Sequence, residues 1–270
     1  MKGRVLIVAG SDSGGGAGIQ ADIKTVTALG GYAATAITAL TAQDTRTVHG
    51  IHEVPPAFVA QQMEVVLADI GADCIKTGML ASPAILWTVV DVLARMAPDV
   101  PLVVDPVMAA KGGAPLVLPE TVDVIRSKLL PRATVVTPNI PEAAMLAGKT
   151  IHGSKDVQDV GRELLALGPK AVLMKGGHLE GPKVVDLLVT EKRAIRLESA
   201  RIASTSTHGT GCTLSSGIAT GLAQGMTLEA AVRRAREYLM EAIRTAPGLG
   251  TGHGPVNHGH TLAASQRGNK

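Results

Sequence analysis

Aromatic side chains are scarce in this sequence. Among 270 residues, only Phe58, Trp87, Tyr32 and Tyr238 are aromatic. This argues against a single-stranded nucleic-acid binder, which stacks bases on Phe, Tyr and Trp, and against an aromatic cage for a quaternary ammonium ligand. Any flat ring bound here must lie between aliphatic or Met side chains. The core must be built from Val, Leu, Ile, Ala and Met, since 46% of the chain is apolar.

Cysteines, long apolar runs and blocks of like charge are also missing. Cys74 and Cys212 alone cannot build a disulfide framework, which indicates a reducing compartment, the cytoplasm. The 26 basic and 23 acidic residues are spread without long runs, so no face for nucleic acid is expected. Residues 25–43 carry no charge, but their five Thr and paired Gly predict a helix followed by a buried strand. We therefore expect no membrane span.

Short, continuous apolar runs alternate with amphipathic stretches along the chain. The runs cover residues 5–9, 34–40, 74–77, 102–104, 133–137 and 171–174. Such runs are typical of parallel strands buried on both faces, and the alternation predicts an α/β fold with helices on both sides of the sheet. Residues 184–197 depart from the pattern and predict an antiparallel hairpin. With no linker or internal repeat, residues 1–270 are expected to form one domain.

Polar residues and glycines follow the predicted strands. They are Gly10, Ser11 and Asp12, then Gln43 and Asp44, then Gly78 and Met79, then Asp105, Asn139, and Lys175 with Gly176 and Gly177. In open α/β sheets, ligands bind beyond the carboxyl ends of the strands. An acid, an amide, a lysine and several glycines at this one edge predict a binding site there.

Two common nucleotide-binding motifs are not satisfied. Residues 16–21 (GAGIQA) match a weak dinucleotide-binding fingerprint, but six residues separate the first strand from Gly16, and Gln43 rather than an acid follows the second strand. Residues 148–150 (GKT) have the ending of a Walker P-loop, but Ala143 replaces its first glycine. Neither motif supports a nucleotide site.

The strongest local signal is the Thr- and Gly-rich loop of residues 204–217, which opens into an apolar helix running to about Gly221. The backbone N–H groups of Gly209, Thr210, Gly211 and Cys212 would point out of the helix N-terminus, where they can hold a phosphate or a developing negative charge. In this first turn the pKa of the Cys212 thiol is expected to be lowered. A helix start packed through small residues is the alternative, but it does not require this many glycines.

Three of the eight histidines lie in the Gly-rich segment of residues 248–260. No Cys or carboxylate cluster accompanies them at metal-ligand spacing. We therefore interpret this segment as a solvated tail packed over the domain, in preference to a metal site.

At the loop of residues 204–217, the sequence resembles the ribokinase-like superfamily. Within it, the sequence is similar to the hydroxymethylpyrimidine/phosphomethylpyrimidine kinases of thiamine biosynthesis. Eight blocks spread over nearly the whole chain carry the resemblance: AGSDSGGGAGIQADIK (9–24), ITALTAQ (37–43), KTGML (76–80), VDPVM (104–108), TPNIPE (137–142), MKGGH (174–178), THGTGC (207–212) and GPVNH (254–258). The resemblance implies a three-layer sandwich with a mostly parallel central sheet. It also implies a kinase that uses ATP and Mg²⁺ to phosphorylate a small aminopyrimidine, first at its hydroxymethyl group and then at the resulting monophosphate.

The resemblance also implies roles for individual residues. Gln43 would bind the pyrimidine edge, with Gly10 and Asp22 nearby, while Ala17, Met79 and Val107 would flank the ring. Asn139 and Glu142 form an N-x-x-E motif that resembles the outer shell of Mg²⁺ and phosphate, and Asp105 would lie in the same metal-phosphate region. Lys175 would steady the ATP phosphates, and Lys111 is a second candidate for phosphate contact. Gly209–Cys212 would form the anion hole. Asp22 could instead be an exposed helical acid, and Met79 ordinary core.

One position departs from the wider superfamily. Ribokinase carries Asp as catalytic base where Cys212 stands here, although Cys at this place is typical of the pyrimidine kinases. A Cys212 thiolate could accept the hydroxyl proton, and a phosphate oxygen could do so as well.

Two alternatives stay open. Some relatives of this type phosphorylate vitamin B6 compounds, so a pyridoxal or pyridoxine kinase is the nearest rival. A lid cysteine that traps an aldehyde would favour it, but Cys74 begins an apolar run. A non-catalytic nucleotide-binding domain is the second alternative, against which the joint presence of Asp105, Glu142, Lys175 and the anion hole argues. Short edge strands in such sheets often pair, so a homodimer is expected.

Overall fold

The computed structural model describes residues 1–108, 119–178 and 181–262, and its strands form one nine-stranded sheet. In chain order the strands are β1 (Arg4–Asp12), β2 (Tyr32–Gln43), β3 (Val48–Glu53), β4 (Cys74–Thr77), β5 (Leu102–Val104), β6 (Val135–Val136), β7 (Ala171–Met174), β8 (Lys183–Thr190) and β9 (Ala194–Ala200). The spatial order is β3-β2-β1-β4-β5-β6-β7-β8-β9. Six neighbouring strands, in the spatial order β2-β1-β4-β5-β6-β7, run parallel. The strand β3 at one end of the sheet and the strands β8 and β9 at the other end pair antiparallel. The predicted α/β class and the hairpin are confirmed.

Helices cover both faces of this sheet. They are α1 (Gly18–Ala28), α2 (Pro56–Asp69), α3 (Pro83–Met96), α4 (Pro119–Val124), α5 (Ile140–Ala147), α6 (Ser154–Ala166), α7 (Thr210–Ala223) and α8 (Leu228–Arg244). One core cluster packs α2, α3, α5 and α6 against the sheet, and the other packs α1, α7 and α8 against the opposite face. The result is the predicted three-layer sandwich. None of the helices in the described ranges is long and apolar enough to cross a bilayer.

Local sequence signals explain several helix starts. Pro83 opens α3 after Ser82, a position where the missing proline N–H costs no hydrogen bond. Thr227 caps α8, because its Oγ1 accepts from the Ala230 N–H over 3.4 Å. Asn139 caps α5 in a reciprocal arrangement with Glu142. The sequence therefore places the starts of α3 and α8 correctly.

Two strands differ from expectation. β3 has no apolar run because five of its six residues are exposed, so hydrophobicity alone gives no signal for it. β6 spans two residues, whereas residues 133–137 were expected to be extended. It is short because it pairs in register with β5 through only two residues.

The topology determines where the site forms. The chain leaves β1 for β2 on one side, and later enters β4 on the other side of β1. Such a reversal opens a crevice at the carboxyl edge of the sheet. The loops after β1, β2, β4, β5 and β7, which carry most of the polar residues singled out above, all lie along this edge.

The C-terminal segment packs over the domain, as expected, but two of its histidines, His258 and His260, are partly buried, each with a buried Nε2. The Asn257 N–H donates to the Ala242 carbonyl over 2.9 Å. His258 Nδ1 lies 3.1 Å from Tyr238 Oη and 3.4 Å from Thr25 Oγ1. Its Nε2 is buried and has no hydrogen-bond partner in the described part of the chain. Burial, with Lys24 and His260 nearby, lowers the pKa of His258 to about 4.

His258 should therefore make stability depend on pH. In the unfolded chain a histidine titrates near 6.5, so between pH 6.5 and about 4 the unfolded state binds a proton that the folded state rejects. The free energy of unfolding that the neutral, buried His258 side chain contributes is fully present above pH 6.5, and it declines as the pH falls. We expect His258→Asn to flatten the fall in urea midpoint between pH 7 and pH 5. The same substitution at exposed His152 should leave that fall unchanged, and an equal slope for wild type and His258→Asn would contradict the assignment.

Candidate active site

Asp105 and Lys175 lie at the centre of the candidate site. They follow β5 and β7, so both belong to the carboxyl edge of the sheet. Lys175 Nζ lies 2.9 Å from Asp105 Oδ1, and Asp105 is only 2% exposed. Thr137 Oγ1 donates to Asp105 Oδ1 over 3.2 Å, and Ser215 Oγ donates to Oδ2 over 3.3 Å. Burial opposes ionisation, but the ammonium groups of Lys175 and Lys76 outweigh it and hold the pKa of Asp105 below its usual range.

Glu142 adds a second buried carboxylate to this centre. The Glu142 N–H donates to Asn139 Oδ1 over 2.9 Å, while the Asn139 N–H donates to Glu142 Oε2 over 2.7 Å. Lys175 Nζ lies 3.8 Å from the same Oε2. Burial raises the pKa of Glu142 to about 7; Lys175 offsets this effect in part, and the Asp105 carboxylate adds to it. Asp105, Glu142 and Lys175, here called the carboxylate–lysine cluster, thus hold two carboxylates against one ammonium group.

The N-terminus of α7 points at this cluster. Gly209 precedes the helix in the left-handed region, at φ 76°, and a Cβ there would overlap the Gly16 carbonyl. A Cβ on Gly211 would lie 3.3 Å from Lys175 Nζ and 3.5 Å from Asp105 Oδ2. Among the described residues, no side chain caps this end of α7 through a hydrogen bond. Free backbone N–H groups beside an ammonium group are what an anion site requires.

A second pair of buried charges lies beneath α7. Lys76 Nζ contacts both carboxylate oxygens of Asp22, at 2.9 and 2.8 Å, and Ser216 Oγ donates to Asp22 Oδ1 over 2.6 Å. Lys76 and Asp22 are completely buried. Because Lys76 is on β4, Asp22 on α1 and Ser216 on α7, this buried ion pair joins three elements.

The Gly-rich loop after β1 folds around Asp12. One oxygen, Oδ2, accepts from the N–H groups of Gly16 and Ala17 at 3.0 and 2.8 Å, and Oδ1 accepts from the Gly14 N–H at 2.8 Å. His208 Nε2 lies 2.8 Å from Asp12 Oδ2 and 3.4 Å from Gln43 Nε2. Asp12, His208 and Gln43 thereby connect the Gly-rich loop, the end of β2 and the segment leading into α7.

Comparison with known proteins decides the family. The model of the phosphomethylpyrimidine kinase family matches residues 12–257. This chain belongs to the phosphomethylpyrimidine kinase family. The match begins at Asp12, at the end of β1, and ends in the C-terminal segment, so it includes every candidate site residue except Gly10.

Individual relatives agree with the family. The chain is 53% identical over 257 residues to the thiamine biosynthesis bifunctional protein ThiED of Geobacter sulfurreducens. The aligned part covers 95% of this chain and 52% of that protein, so this chain spans about half of that relative's length. It is 47% identical to the hydroxymethylpyrimidine/phosphomethylpyrimidine kinase of Streptomyces coelicolor, covering 96% of this chain and 95% of the other. An ADP complex of Bacillus subtilis pyridoxal kinase superposes with a TM-score of 0.91 at 34% identity, over 97% and 99% of the two chains. The chain is a kinase with a ribokinase-like fold.

The prediction that the pKa of the Cys212 thiol is lowered is wrong. Burial raises the pKa of the Cys212 thiol to about 12; Lys76 offsets the effect in part, whereas the carboxylates of Asp22 and Asp105 add to it. The Gly18 N–H and the helix N-terminus favour the thiolate, but they do not overcome the loss of hydration. Cys212 is therefore a neutral thiol near pH 7.

Most of the other predicted residues fall into two groups, and Val107, Lys111 and Asp22 stand apart from them. Asp105, Glu142, Lys175, Asn139 and the Gly209–Cys212 turn come together at one edge. Gly10, Ala17 and Gln43 lie in or beside the first two strands, and Met79 is 8% exposed, with its Cε 3.3 Å from the Cβ position of Gly10. Val107 is half-buried just after β5. Lys111 lies outside the described residues. Asp22 is not an exposed helical acid, because Lys76 and Ser216 bind its carboxylate in the interior.

Sequence reasoning placed Asp12 at the predicted binding edge without an individual role, and it assigned none to Lys76, His208 or Ser215. Lys76 gave a usable signal, since it is the one charged residue within the apolar run of residues 74–77. A buried lysine requires a partner carboxylate, and Asp22 supplies it. No such signal pointed to His208 or Ser215, whose partners lie 196 and 110 residues away in sequence.

Removing one partner of the buried Lys76–Asp22 ion pair should lower the free energy of unfolding more than neutralising both partners. Lys76→Met leaves an unpaired carboxylate in the interior, which costs about 3–5 kcal/mol of unfolding free energy. Adding Asp22→Asn to Lys76→Met should recover at least half of that loss. Urea unfolding of the two single variants and the double variant measures the coupling, and additive losses would contradict a direct interaction.

Proposed function

We propose that this chain transfers the γ-phosphoryl group of ATP to the hydroxymethyl group of 4-amino-5-hydroxymethyl-2-methylpyrimidine, and then phosphorylates the monophosphate to the pyrophosphate. The carboxylate–lysine cluster at the N-terminus of α7 carries this proposal. Phosphoryl transfer needs positioning and charge neutralisation more than covalent chemistry from the protein. An ammonium group and free backbone N–H groups beside a substrate crevice supply both.

The crevice beside β1 suits a flat ring without aromatic stacking. We propose that Ala17, Met79 and Val107 form its apolar walls and that the Gln43 amide binds the ring edge. Gly10 leaves room beside Met79, because a side chain there would meet Met79 Cε. Asp22 acts through its charge and through the position of α1, since its carboxylate oxygens bind Lys76 and Ser216.

Lys175 and the first turn of α7 would hold the phosphates. The Lys175 side chain is 13% exposed, so its ammonium group is held in place while still facing the crevice. Burial opposes the charged form, but Asp105 and Glu142 raise the pKa of Lys175 to about 12, so the ammonium group persists at neutral pH. It therefore remains a fixed positive charge next to the N–H groups of Gly209–Cys212, where negative charge develops during transfer.

The donor set also fits Mg²⁺. Mg²⁺ prefers carboxylate, phosphate and water oxygens, and usually takes only one or two carboxylates from the protein. Asp105 and Glu142 supply two, and because, of the residues that the structure describes, Lys175 is the one ammonium group paired with both, a cation would balance the second carboxylate. The described residues contain no group of three or more His, Cys, Asp or Glu side chains that could hold a metal by themselves. We propose that Asp105 and Glu142 would hold Mg²⁺ when the nucleotide is bound, and that the ion would supply positive charge to neutralise the phosphates.

The substrate's proton is better accepted by a phosphate oxygen than by Cys212. A base works best when its pKa lies near the operating pH, and the Cys212 thiol is neutral there. A loose transition state also needs little deprotonation of the attacking hydroxyl in advance. We propose that Cys212 contributes its backbone N–H and its shape to the anion hole.

Pyridoxal kinase activity is the second candidate, favoured by the superposition on the Bacillus subtilis enzyme. The chain is more similar in sequence to the pyrimidine kinases, at 47% identity against 34%. Trapping an aldehyde needs a reactive thiol outside the anion hole. Cys74 is fully buried in β4, and burial raises the pKa of its thiol well above the usual value. This observation favours the pyrimidine.

We further propose that the kinase works in the cytoplasm as a homodimer. Large apolar side chains are exposed beside the β3 edge of the sheet, with Leu40 46%, Ile51 45% and Phe58 54% exposed. A patch of this kind is typical of a surface that a partner covers. A second copy pairing at this edge would cover it.

Activity assays test the central proposal. Purified chain with Mg²⁺ and ATP should release ADP with hydroxymethylpyrimidine and with its monophosphate, and more slowly with pyridoxal. Lys175→Met should lower kcat by about 10²–10³-fold, since it removes a fixed charge from the transition state. Lys183→Met, at an exposed lysine paired with Glu198, is the matched control and should retain activity. No transfer to either pyrimidine would refute the proposed function.

Substitutions at Cys212 test the proton acceptor. With a neutral thiol, Cys212→Ser should keep kcat within about threefold of wild type and preserve the shape of its pH profile between pH 6.5 and 9. A loss of more than about 10²-fold, restored by Cys212→Asp, would show instead that this side chain takes the proton.

A further inference from the structure

Lys175 reaches the carboxylate–lysine cluster from a point where the sheet ladder stops. The pairing of β7 with β8 ends at Met174 opposite Leu187, so Lys175 and Gly176 lie beyond it. The Lys175 N–H donates to the Pro138 carbonyl over 2.9 Å instead. Gly176 is buried, and a buried backbone N–H without a partner is costly. Its N–H therefore needs an acceptor from outside the ladder.

Asp186 on β8 supplies that acceptor. Its Oδ1 accepts from the Gly176 N–H over 2.8 Å, and the residue is only 6% exposed. Gly176 lies so close to β8 that a Cβ there would overlap the Val185 carbonyl. A carboxylate among the Val and Leu residues of this strand requires partners that compensate for its burial. The Gly176 N–H is one of these partners.

Arg236 on α8 holds the other oxygen of the carboxylate. Its Nε donates to Asp186 Oδ2 over 2.7 Å. Its Nη2 lies 3.0 Å from the Leu197 carbonyl and 3.4 Å from Ser199 Oγ, both on β9. Arg236 uses a separate hydrogen for each contact, and Asp186 offers a separate oxygen to each donor. The guanidinium group thus fixes the carboxylate, and the carboxylate fixes the Gly176 N–H.

The backbone is therefore held on both sides of the Lys175 Cα. Pro138 binds the N–H before it, and Asp186 binds the N–H after it. Together these bonds restrain rotation about the Lys175 Cα and set the direction in which its side chain leaves the backbone. From there Nζ lies 2.9 Å from Asp105 Oδ1 and 3.8 Å from Glu142 Oε2. A shift of the Gly176 peptide would move this ammonium group.

We propose that Asp186 is a positioning residue for Lys175, which places the ammonium group at the ATP phosphates without touching them itself. The inference rests on the part of the proposed function in which Lys175 holds these phosphates. Placement matters because a charge stabilises the transition state only when it is fixed at the right point, and a displacement of about 1 Å can cost a large rate factor. The alternative is that Asp186 and Arg236 only join α8 to the sheet.

The first test compares Asp186→Leu with Asp186→Asn. Both remove the ion pair with Arg236, but Asn keeps an oxygen that can accept from Gly176. We expect Asp186→Leu to lower kcat by about 10-fold and to raise the KM for ATP about fivefold, while the KM for the pyrimidine stays unchanged. Asp186→Asn should stay within about threefold of wild type. Equal losses in both variants would overturn the inference, because the loss would then come from the ion pair alone.

The second test asks whether Asp186 acts through Lys175. In a Lys175→Met background the charge to be positioned is absent, so adding Asp186→Leu should lower kcat by less than about twofold. A purely structural role, or a smaller folded fraction, would lower kcat by the same factor in both backgrounds and would overturn the inference. If Asp186→Leu does not fold, Asp186→Leu combined with Arg236→Met leaves no unpaired buried charge and allows the same comparison.

Asp73→Leu is the matched control. Asp73 also accepts from a backbone N–H, that of Arg4, over 2.8 Å, and pairs with the Arg4 guanidinium group. This pair lies where β1 and β4 begin, at the edge of the sheet opposite the site. The substitution should leave kcat and both KM values unchanged.

Binding of ATP with Mg²⁺, measured without a pyrimidine, separates this inference from the proposed function. If neither pyrimidine is phosphorylated but Asp186→Leu weakens ATP binding only when Lys175 is present, the proposed function fails and the inference stands. If the pyrimidines are phosphorylated and Asp186→Leu acts equally with and without Lys175, the inference alone is overturned. If wild type binds no ATP, both fall together.

Discussion

The balance of buried charge beneath the N-terminus of α7 governs the rest of this site. Three buried carboxylates, Asp22, Asp105 and Glu142, face two buried ammonium groups, Lys76 and Lys175. Buried charges of this kind persist only when each has a partner. The pairing fixes where β4, β5, β7, α1 and α7 meet. Burial raises the pKa of Glu142 and the Asp105 carboxylate adds to the rise, whereas at Asp105 the ammonium groups of Lys175 and Lys76 outweigh burial and lower the pKa.

Close backbone approach is the second constraint, and it explains the glycine content better than flexibility does. Gly209 packs against the Gly16 carbonyl, and Gly211 leaves space for Lys175 and Asp105. A side chain at position 209 would separate the Gly-rich loop from the helix N-terminus, and one at position 211 would crowd Lys175 and Asp105. The N-terminus of α7 and the proposed ring-binding crevice can then lie side by side, as transfer between two bound substrates requires.

Much of this arrangement could be predicted from the sequence, because it follows from local patterns. The apolar runs gave β4, β5 and β7, and the topology then brings Asp105 and Lys175 to one edge. What the sequence could not give were partners distant in the chain, such as His208 for Asp12, and the net effect of opposing electrostatic influences. The position of Cys212 at a helix N-terminus suggested a lowered pKa. Burial and two nearby carboxylates reverse that expectation, and neither is visible in a local motif.

The scarcity of aromatics shapes how such a crevice can discriminate. Walls of Ala, Met and Val bind any ring of suitable size, because dispersion and burial carry little directional information. Discrimination must then come from hydrogen bonds at the ring edge, and an amide is ambiguous because its two ends differ only in which one donates. The candidate group at this edge is the Gln43 amide, and its neighbours His208 and Asp12 come from two other segments of the chain, so the site forms only when these segments pack together.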